Sequence, residues 1–331
     1  MGFKSSVFRA AVLLTTIVVS TALILGFFGR IHPALDSIAH FRAHLGVALV
    51  ACALGLAAAN LRVNAIVALL LAAGAMTTTM PGLALPFGAA QAARSFPTSG
   101  QPTYRLLQYN LRWNHPEPDR VLKMIRHVQP DVLTFDEVSP MWAKALATLN
   151  GEYPFQVICD TRRYGSIILS RRPLVETGKE RCFDRGSLAV AAVDFDGLPV
   201  EIGSIHLNWP WPYGQARQLD RLEGAIGDLD DTAILAGDFN AATWSAAVRR
   251  VAKVGKLTLI EGIGPTWIDY ALPRSMRWAG LPIDNIMYKG AVRPVSARTI
   301  EDAGSDHWPV LLEFSVLSAP QKVAQSKPGS S

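Results

Sequence analysis

An uncharged run at residues 10–29 limits most strongly what this chain can fold into. A helix that crosses a bilayer needs about 20 apolar residues, and within a membrane a helix satisfies its own backbone hydrogen bonds. Further apolar runs follow at residues 45–59 and 63–81. The sequence therefore predicts about three membrane-spanning helices. A cleaved signal peptide is the alternative for the first run, but this run is longer than the apolar core of such a peptide, and two more follow it.

Charge is divided unevenly along the chain. Residues 1–94 contain six Lys or Arg residues and one acidic residue, Asp36, whereas the remainder contains 26 basic and 26 acidic residues. The net charge of +5 therefore belongs to the apolar part. A nucleic-acid-binding surface needs clustered positive charge on the folded domain, and composition gives no evidence for one here.

The composition predicts four regions. Residues 1–90 are the membrane region, residues 91–103 are a linker rich in Ala, Ser, Pro and Gly, residues 104–317 form one domain, and residues 318–331 are a disordered tail with few apolar residues. Lys4 and Arg9 weakly favour a cytoplasmic N-terminus. With three spans, that orientation would place the domain outside the cytoplasm.

The cysteines agree with that location. The domain has two of them, Cys159 and Cys182, while Cys52 lies in a predicted span. Because disulfides persist in oxidising compartments, we predict a Cys159–Cys182 bond. Two separate structural thiols are the alternative.

Strand-like and helix-like segments alternate in residues 104–317, and they predict two packed sheets with helices outside. Ser139 is a candidate helix cap, and Asp196-Gly197 is a hairpin signal. The predicted strands are residues 105–110, 131–137, 166–170, 188–195, 200–206, 233–236 and 310–314, and the predicted helices are residues 121–128, 139–149 and 215–229.

Polar residues lie at the ends of several of these strands. Gly237-Asp238-Phe239-Asn240 follows one apolar run, and Gly304-Ser305-Asp306-His307-Trp308-Pro309 precedes another. Carboxylates, an amide and an imidazole at strand ends can converge on one site, and hard oxygen ligands suit Mg²⁺, which commonly acts in phosphate chemistry. These two motifs indicate a metal-dependent phosphoester hydrolase.

The domain resembles the endonuclease/exonuclease/phosphatase superfamily, which includes pancreatic deoxyribonuclease, abasic-site endonucleases, bacterial sphingomyelinases and inositol-polyphosphate 5-phosphatases. The resemblance covers residues 104–314 and implies a four-layer α/β/β/α sandwich; with the membrane region, it suggests a bacterial membrane-anchored subgroup. The matching pieces occur in order: Gln-Tyr-Asn110-Leu-Arg, Phe-Asp-Glu137-Val, Tyr164-Gly-Ser-Ile-Ile-Leu-Ser, Ser-Ile-His206-Leu, Gly-Asp238-Phe-Asn240, Pro-Ile-Asp284-Asn and Ser-Asp306-His307-Trp-Pro.

The resemblance implies a role for each matching residue. Glu137 would be the principal ligand of Mg²⁺, with Mn²⁺ as the alternative ion, and Asn110 and Asp306 would complete the metal site. The family usually has Gln before this Glu; here Asp136 is either a further ligand or a solvated bystander. Arg217 contacts substrate or plays a capping or packing role.

The catalytic roles follow in the same way. Asp238 would hold or deprotonate the attacking water, and Asn240 would donate to a phosphate oxygen. His307, oriented by Asp284, would contact the phosphate as a cation or as an acid–base group. His206 would stabilise the charge that develops on the phosphorus centre.

Three aromatic residues, Trp209, Trp211 and Tyr213, follow His206 in a Pro-containing loop. They could stack on a base, lie in a lipid headgroup layer, or pack on neighbouring loops. By contrast, His115 and His127 are predicted to be surface residues.

The sequence thus predicts a phosphoesterase held in a bacterial inner membrane by its N-terminal helices. Its substrate would be nucleic acid, a phospholipid headgroup or a small phosphate ester, and no protein partner follows from the sequence. Two alternatives are a catalytically silent binding or scaffold module on the same fold, and a membrane assembly protein. The second is disfavoured because no polar residue within the spans suggests a transport path.

Overall fold

The N-terminal region is helical in the computed structural model, which describes residues 2–82, 102–179 and 181–317. Within those ranges, two segments, Ser6–Phe28 and Arg62–Thr79, are long and apolar enough to cross a membrane. A third span would result if α2 and α3, which are bent by 61°, act as one. The helices are α1 Gly2–Leu25, α2 Pro33–Ala39, α3 Arg42–Ala58 and α4 Arg62–Thr79.

Small residues allow α3 and α4 to pack closely. The buried face of α4 consists mainly of alanines at helical spacing, from Ala65 to Ala75. Gly46 on α3 lies so close to α4 that an added Cβ would be 3.2 Å from the Ala75 side chain. Such small-residue contacts are typical of helix pairs in membranes.

The described residues between 104 and 317 form four α-helices and thirteen strands, with short 3-10 turns between them. The helices are α5 Pro118–Val128, α6 Pro140–Leu146, α7 Gln215–Gly227 and α8 Ala246–Gly255. The strands are β1 Tyr104–Asn110, β2 Val132–Val138, β3 Phe155–Ile158, β4 Gly165–Ser170, β5 Leu174–Val175, β6 Cys182–Phe183, β7 Leu188–Asp194, β8 Pro199–His206, β9 Ala233–Asp238, β10 Thr258–Leu259, β11 Asp284–Lys289, β12 Val292–Thr299 and β13 Val310–Val316.

The strands form two mixed sheets. The first has the order β12-β13-β1-β2-β4-β3, and the second has the order β10-β11-β9-β8-β7-β5, with β6 also paired to β7. The pairs β1–β2 and β8–β9 are parallel. Because the carboxyl ends of parallel strands meet at the same sheet edge, each sheet contributes two such ends to one side of the molecule.

Apolar residues fill the space between the sheets and the space under the helices. Leu106 and Ile168 from the first sheet pack with Ile202 and Ile234 from the second. A second cluster lies between the first sheet and the helices α5 and α6, and a third lies under α7 and α8. The predicted α/β/β/α sandwich is therefore confirmed.

The predicted strands of the domain are all present, with ends shifted by a few residues. The Ser139 hydroxyl accepts a hydrogen bond from the Trp142 amide, as its predicted capping role requires. Helix α8 and strands β3, β5, β6, β10, β11 and β12 were not among the predicted elements. The tail at 318–331 and all but the last two residues of the linker at 91–103 lie outside the described residues.

Two covalent or polar connections hold distant parts of the chain together. Cys159, which follows β3, is bonded to Cys182 on β6, so the predicted disulfide joins the two sheets. Residues 29–41, here called the interhelical segment, contact the domain through Asp36, whose carboxylate accepts hydrogen bonds from the Ala246 and Ala247 amides at 2.6 and 2.9 Å.

Candidate active site

Strand register brings the strand-end residues together. Asn110 is paired with Asp136 across β1 and β2. His206 is paired with Asp238 across β8 and β9, and Asp238 is in turn paired with Asp284 across β9 and β11. Residues far apart in sequence therefore share one end of the sandwich.

Glu137 lies at an irregular point of β2. The pairing of β2 with β4 shifts register between Phe135 and Val138, and Glu137 itself has φ +57, which is uncommon for a residue other than glycine. Its Oε1 accepts a hydrogen bond from the Asn110 amide at 3.1 Å, and its Oε2 accepts one from the Trp113 backbone N–H at 3.0 Å. Burial acts to raise the pKa of Glu137, but His206 and these donors outweigh burial and lower it.

Asp238 is fully enclosed and accepts several hydrogen bonds. Its Oδ1 accepts from the Asn240 backbone N–H at 2.7 Å, and its Oδ2 accepts from the Asn110 amide at 3.0 Å. Burial raises the pKa of Asp238 to about 7, although the charge of His307 acts in the opposite direction. A carboxyl group with this pKa can accept a proton near neutral pH.

His307 forms a buried pair with Asp284. Its Nδ1 is 2.8 Å from Asp284 Oδ2, and its Nε2 is 3.6 Å from Asp238 Oδ2. Burial acts to lower the pKa of His307, but the carboxylates of Asp284 and Asp238 outweigh burial and raise it to about 10. The imidazole is therefore a cation at neutral pH, and its Nδ1–H donates to Asp284.

His206 stands on the open side of this cluster. Its Nε2 is 3.9 Å from Glu137 Oε1 and 3.8 Å from Asp238 Oδ2, which are distances too long for hydrogen bonds. The side chain is 22% exposed. Solvent or a ligand therefore has access to the space among His206, Glu137 and Asp238. We call these three residues, together with Asn110, Asp284 and His307, the polar centre.

The residues of the polar centre fit a divalent cation. Glu137, His206 and Asp238 each offer one ligand atom, and these atoms lie within 4.8 Å of one another. Glu137 and Asp238 supply the hard oxygen ligands that Mg²⁺ prefers. A second such group contains Asp238, Asp284 and His307, but there the imidazole cation already neutralises the carboxylates.

Asn240 lies beside the polar centre, and its amide is already engaged. Its Nδ2 donates to the Leu207 carbonyl oxygen at 2.8 Å and to Asp238 Oδ2 at 3.3 Å. The predicted contact between Asn240 and a phosphate would require this amide to change partners or to share a proton. That role stays a prediction.

Asp306 is not part of either possible metal group among the described residues. Its Oδ2 accepts from the Trp267 indole N–H at 3.2 Å, and its Oδ1 accepts from the Ser305 hydroxyl at 3.2 Å. The assignment of Asp306 as a metal ligand therefore stays a prediction that neither group supports.

The sequence did not reveal the role of Asp136, which is neither an exposed bystander nor part of either possible metal group. Its carboxylate accepts from Gln108 and Ser166 of the first sheet, and from Ser204 and the Asp238 backbone N–H of the second. Burial raises the pKa of Asp136 to about 7. Gln108 also donates to Asp284. In the sequence, the only indication of this network is Gln108, a polar residue that follows two leucines in β1.

Three of the other predictions concern residues away from this network. His115 is buried, so its prediction as a surface residue is wrong; its Nδ1 accepts from the Glu117 backbone N–H at 2.8 Å, and its ring contacts Trp142. His127 is exposed as predicted. Arg217 lines a groove together with Trp211, Arg30 and other cationic residues, and its contact with substrate stays a prediction.

The aromatic loop is exposed beside the polar centre. Trp209, Trp211 and Tyr213 are 55%, 51% and 67% exposed. Trp209 meets Trp267 and Tyr213 edge-to-face, with ring centroids 6.1 and 6.5 Å apart. Trp209 and Tyr213 therefore contact each other, and all three rings of the loop keep much of their surface open to a ligand.

The polar centre and the two sheets match a known family. The family model described as "Endonuclease/Exonuclease/phosphatase family" matches residues 107–307. The chain belongs to this family. The membrane region lies outside the match, and no similar sequence was found among curated proteins.

Solved structures share the fold of residues 104–317. Humanised TDP2 from D. rerio is 20% identical, with 65% of this chain and 99% of that chain covered and a TM-score of 0.52. The endonuclease/exonuclease/phosphatase protein from Bacteroides vulgatus is 17% identical, with coverage of 66% and 100% and a TM-score of 0.53. The one from Beutenbergia cavernae is 22% identical, with coverage of 65% and 72% and a TM-score of 0.50. At these identities the likeness concerns the fold alone.

Proposed function

We propose that this chain is a membrane-anchored phosphoesterase that uses Mg²⁺, with Mn²⁺ as the alternative ion. One observation carries the proposal: side chains from the ends of five strands, in two sheets, meet in the polar centre. That centre combines carboxylates, an amide and two imidazoles, one of which is a cation. Such a set can bind a cation and a phosphate group together, which a purely structural network does not need.

Glu137 would hold the metal ion, with Asn110 orienting its carboxylate and that of Asp238 through its amide. When bound, the ion would neutralise charge on the phosphate and activate the attacking water. The two histidines lie around the same space and supply positive charge or hydrogen-bond donors. This placement gives the phosphate oxygens partners on more than one side.

The reaction would be attack by water on phosphorus. Asp238, whose pKa is about 7, would take the proton as the new P–O bond forms and the ester P–O bond breaks on the opposite side. His307 would stay protonated and stabilise the charge on the phosphorane oxygens, while Asp284 fixes its ring. The leaving oxygen would receive its proton from solvent or from His206.

The chain would reside in a bacterial inner membrane with its catalytic domain outside the cytoplasm. Two observations support this location. The Cys159–Cys182 disulfide is typical of an oxidising compartment, and α1 is an apolar helix of sufficient length to span the bilayer.

The test is turnover of bis(p-nitrophenyl) phosphate by the full chain purified in detergent. We expect release of nitrophenol that requires Mg²⁺ and stops when EDTA is added. Restoring excess Mg²⁺ should restore the rate, which separates metal removal from denaturation. A folded chain that cleaves neither this diester nor a panel of nucleic acids, phospholipids and phosphomonoesters would instead be a silent module on the same fold.

A further inference from the structure

A cleft next to the polar centre is built partly by the membrane region. Its volume is about 210 Å³, and we call it the junction slot. Asn240, which lies beside the polar centre, lines the slot together with Trp209, Trp211, Trp267, Ile283 and, from the interhelical segment, Phe41. The N-terminal region thus supplies part of a surface that begins at the catalytic residues.

Several hydrogen bonds fix the interhelical segment against the domain. The Asp36 carboxylate accepts from the amides at the start of α8. The Trp244 indole N–H donates to the Ala39 carbonyl oxygen at 2.7 Å, and the Ser37 hydroxyl donates to the Trp211 carbonyl oxygen at 3.1 Å. These contacts are made by residues two to five positions before Phe41, so the backbone that leads into Phe41 is held against the domain.

The slot connects the surroundings of the polar centre with the start of a candidate span. Phe41 immediately precedes α3, whose apolar sequence starts a candidate span with α2. The lining of the slot therefore includes both Asn240, beside the polar centre, and a residue that directly precedes a candidate span. Trp211 and Tyr213, both exposed, line the same slot, and aromatic side chains of this kind favour the lipid headgroup layer.

The lining favours a hydrocarbon chain over a nucleobase. Apart from Asn240, Ser37 and His40, its side chains are apolar or aromatic. The Trp209 ring meets Trp267 at an interplanar angle of 86°, so these two rings do not form a parallel pair that could sandwich a base. The slot is also smaller than the 300–1,000 Å³ typical of pockets that enclose a whole drug-sized ligand, which suits one segment of a chain that continues into the bilayer.

We propose that the substrate is a membrane lipid with a phosphate ester, and that the junction slot binds the hydrocarbon next to that ester. The inference rests on the proposed function and narrows it to one substrate class. The ester group lies at the polar centre, and the first part of the chain lies between Phe41 and the aromatic loop. The membrane region would then be part of the substrate site, in addition to being an anchor.

The test uses p-nitrophenyl alkyl phosphodiesters that differ only in the length of the alkyl chain. They are presented to the full chain in mixed micelles at a fixed mole fraction. We expect kcat/KM to rise roughly 3- to 4-fold per methylene until the slot is filled, since each buried methylene contributes about 0.8 kcal/mol. The Phe41→Ser variant should reduce the ratio of long-chain to short-chain kcat/KM by at least 10-fold.

Two further variants separate the slot from micelle partitioning and misfolding. Met141→Ser alters an apolar residue that is 40% exposed on α6, away from the slot lining, and should keep the parental ratio. Phe41→Trp fills the slot and should shift the optimum to shorter chains. If the parent cleaves every diester with no dependence on chain length, the lipid inference fails while the proposed function stands.

Other outcomes are equally decisive. A chain-length dependence that survives in Phe41→Ser would show partitioning into micelles and would overturn the slot. In a further outcome, single-stranded DNA competes with the long-chain ester and is cleaved faster than it. That result would show that the aromatic loop binds nucleobases, and it would overturn the lipid inference. If no ester is cleaved in the presence of Mg²⁺, the proposed function fails and the inference fails with it.

Discussion

The polar centre and the junction with the membrane region both bury an aspartate, but they use it differently. At the polar centre, Asp238 and Asp284 share a small volume with two histidines, and the pKa values of Asp238 and His307 are displaced. At the junction, Asp36 accepts hydrogen bonds from two backbone N–H groups at the start of α8. The first arrangement keeps charges poised for chemistry, whereas the second joins two parts of the chain.

This difference has an energetic meaning. A carboxylate at a helix N-terminus satisfies free N–H groups and interacts favourably with the helix dipole, so Asp36 stabilises the structure. Carboxylates packed together repel one another, and they persist where a cation or a protonated group compensates them. Substitutions should therefore affect turnover at the polar centre and stability at the junction.

The largest effect is expected at Glu137. Glu137→Ala removes a carboxylate from the proposed cation site, and the loss of several kcal/mol of charge stabilisation should lower Mg²⁺-dependent turnover roughly 10³-fold or more. Diester hydrolysis measured against Mg²⁺ concentration checks this. The thermal midpoint should stay within a few degrees of the parental value. Parental activity in this variant would remove Glu137 from the site.

The next effect concerns the Asp284–His307 pair. Asp284→Asn keeps the shape of the side chain but removes the charge that raises the pKa of His307 to about 10. Turnover should fall roughly 10²-fold or more. In the parent protein the His307 imidazole stays charged up to about pH 10. In the variant it should lose its proton at a lower pH, so the basic limb of the pH–rate profile should move to lower pH.

The concentration of Mg²⁺ that gives half-maximal rate shows whether Asp284 orients His307 or binds the metal ion. This concentration should change little in Asp284→Asn, because Asp284 is proposed to hold the His307 ring and not the ion. A variant with weakened Mg²⁺ dependence and an unshifted pH profile would place Asp284 in the metal site. A parental rate and profile together would refute the pair.

The disulfide provides a third site, where a substitution should lower stability by releasing a constraint on the unfolded chain. Replacing Cys159 and Cys182 by Ser opens a loop of 23 residues, for which the chain-entropy model gives roughly 3 kcal/mol. Denaturant unfolding of the full chain in detergent measures this loss. Cys52→Ser, which changes the free cysteine of α3, is the matched control. A double variant as stable as that control would show that the bond contributes nothing.

The smallest effect is expected at the junction. Asp36→Ala leaves the Ala246 and Ala247 amides without their acceptor, and the loss of such a cap costs about 1–2 kcal/mol. Turnover of the short soluble diester should stay near parental, since Asp36 does not face the polar centre. Asp119→Ala, an exposed acid in the first turn of α5, should change stability by about 0.5 kcal/mol or less. A large loss of turnover in Asp36→Ala would contradict the expectation that the junction affects stability and the polar centre affects turnover.

The sequence predicted the polar centre better than the junction, for a physical reason. Asp238 and His307 each lie beside an apolar strand, so local pattern shows both the strand and the polar residue at its end. Asp36 is an isolated acid in an apolar region, and its partners are 210 and 211 residues away. Nothing near Asp36 in the sequence identifies those partners.

Misses within the domain have similar causes. Asp136 receives hydrogen bonds from four strands, and no local pattern specifies such a set. His115 is buried by its contact with Trp142, 27 residues later in the chain. Helix α8 could have been found, because Ser245 caps it and Ala247, Val248 and Val251 have helical spacing.

The docking of the interhelical segment also affects how the protein would meet its substrate. A domain on a flexible linker samples many orientations, and its effective concentration at a surface depends on linker length. Here Asp36 and Trp244 fix the domain beside the ends of α1 and α3. On a bilayer, encounters would then occur by lateral diffusion in the plane, so the rate would follow the surface density of substrate, independent of the volume of the surrounding solution.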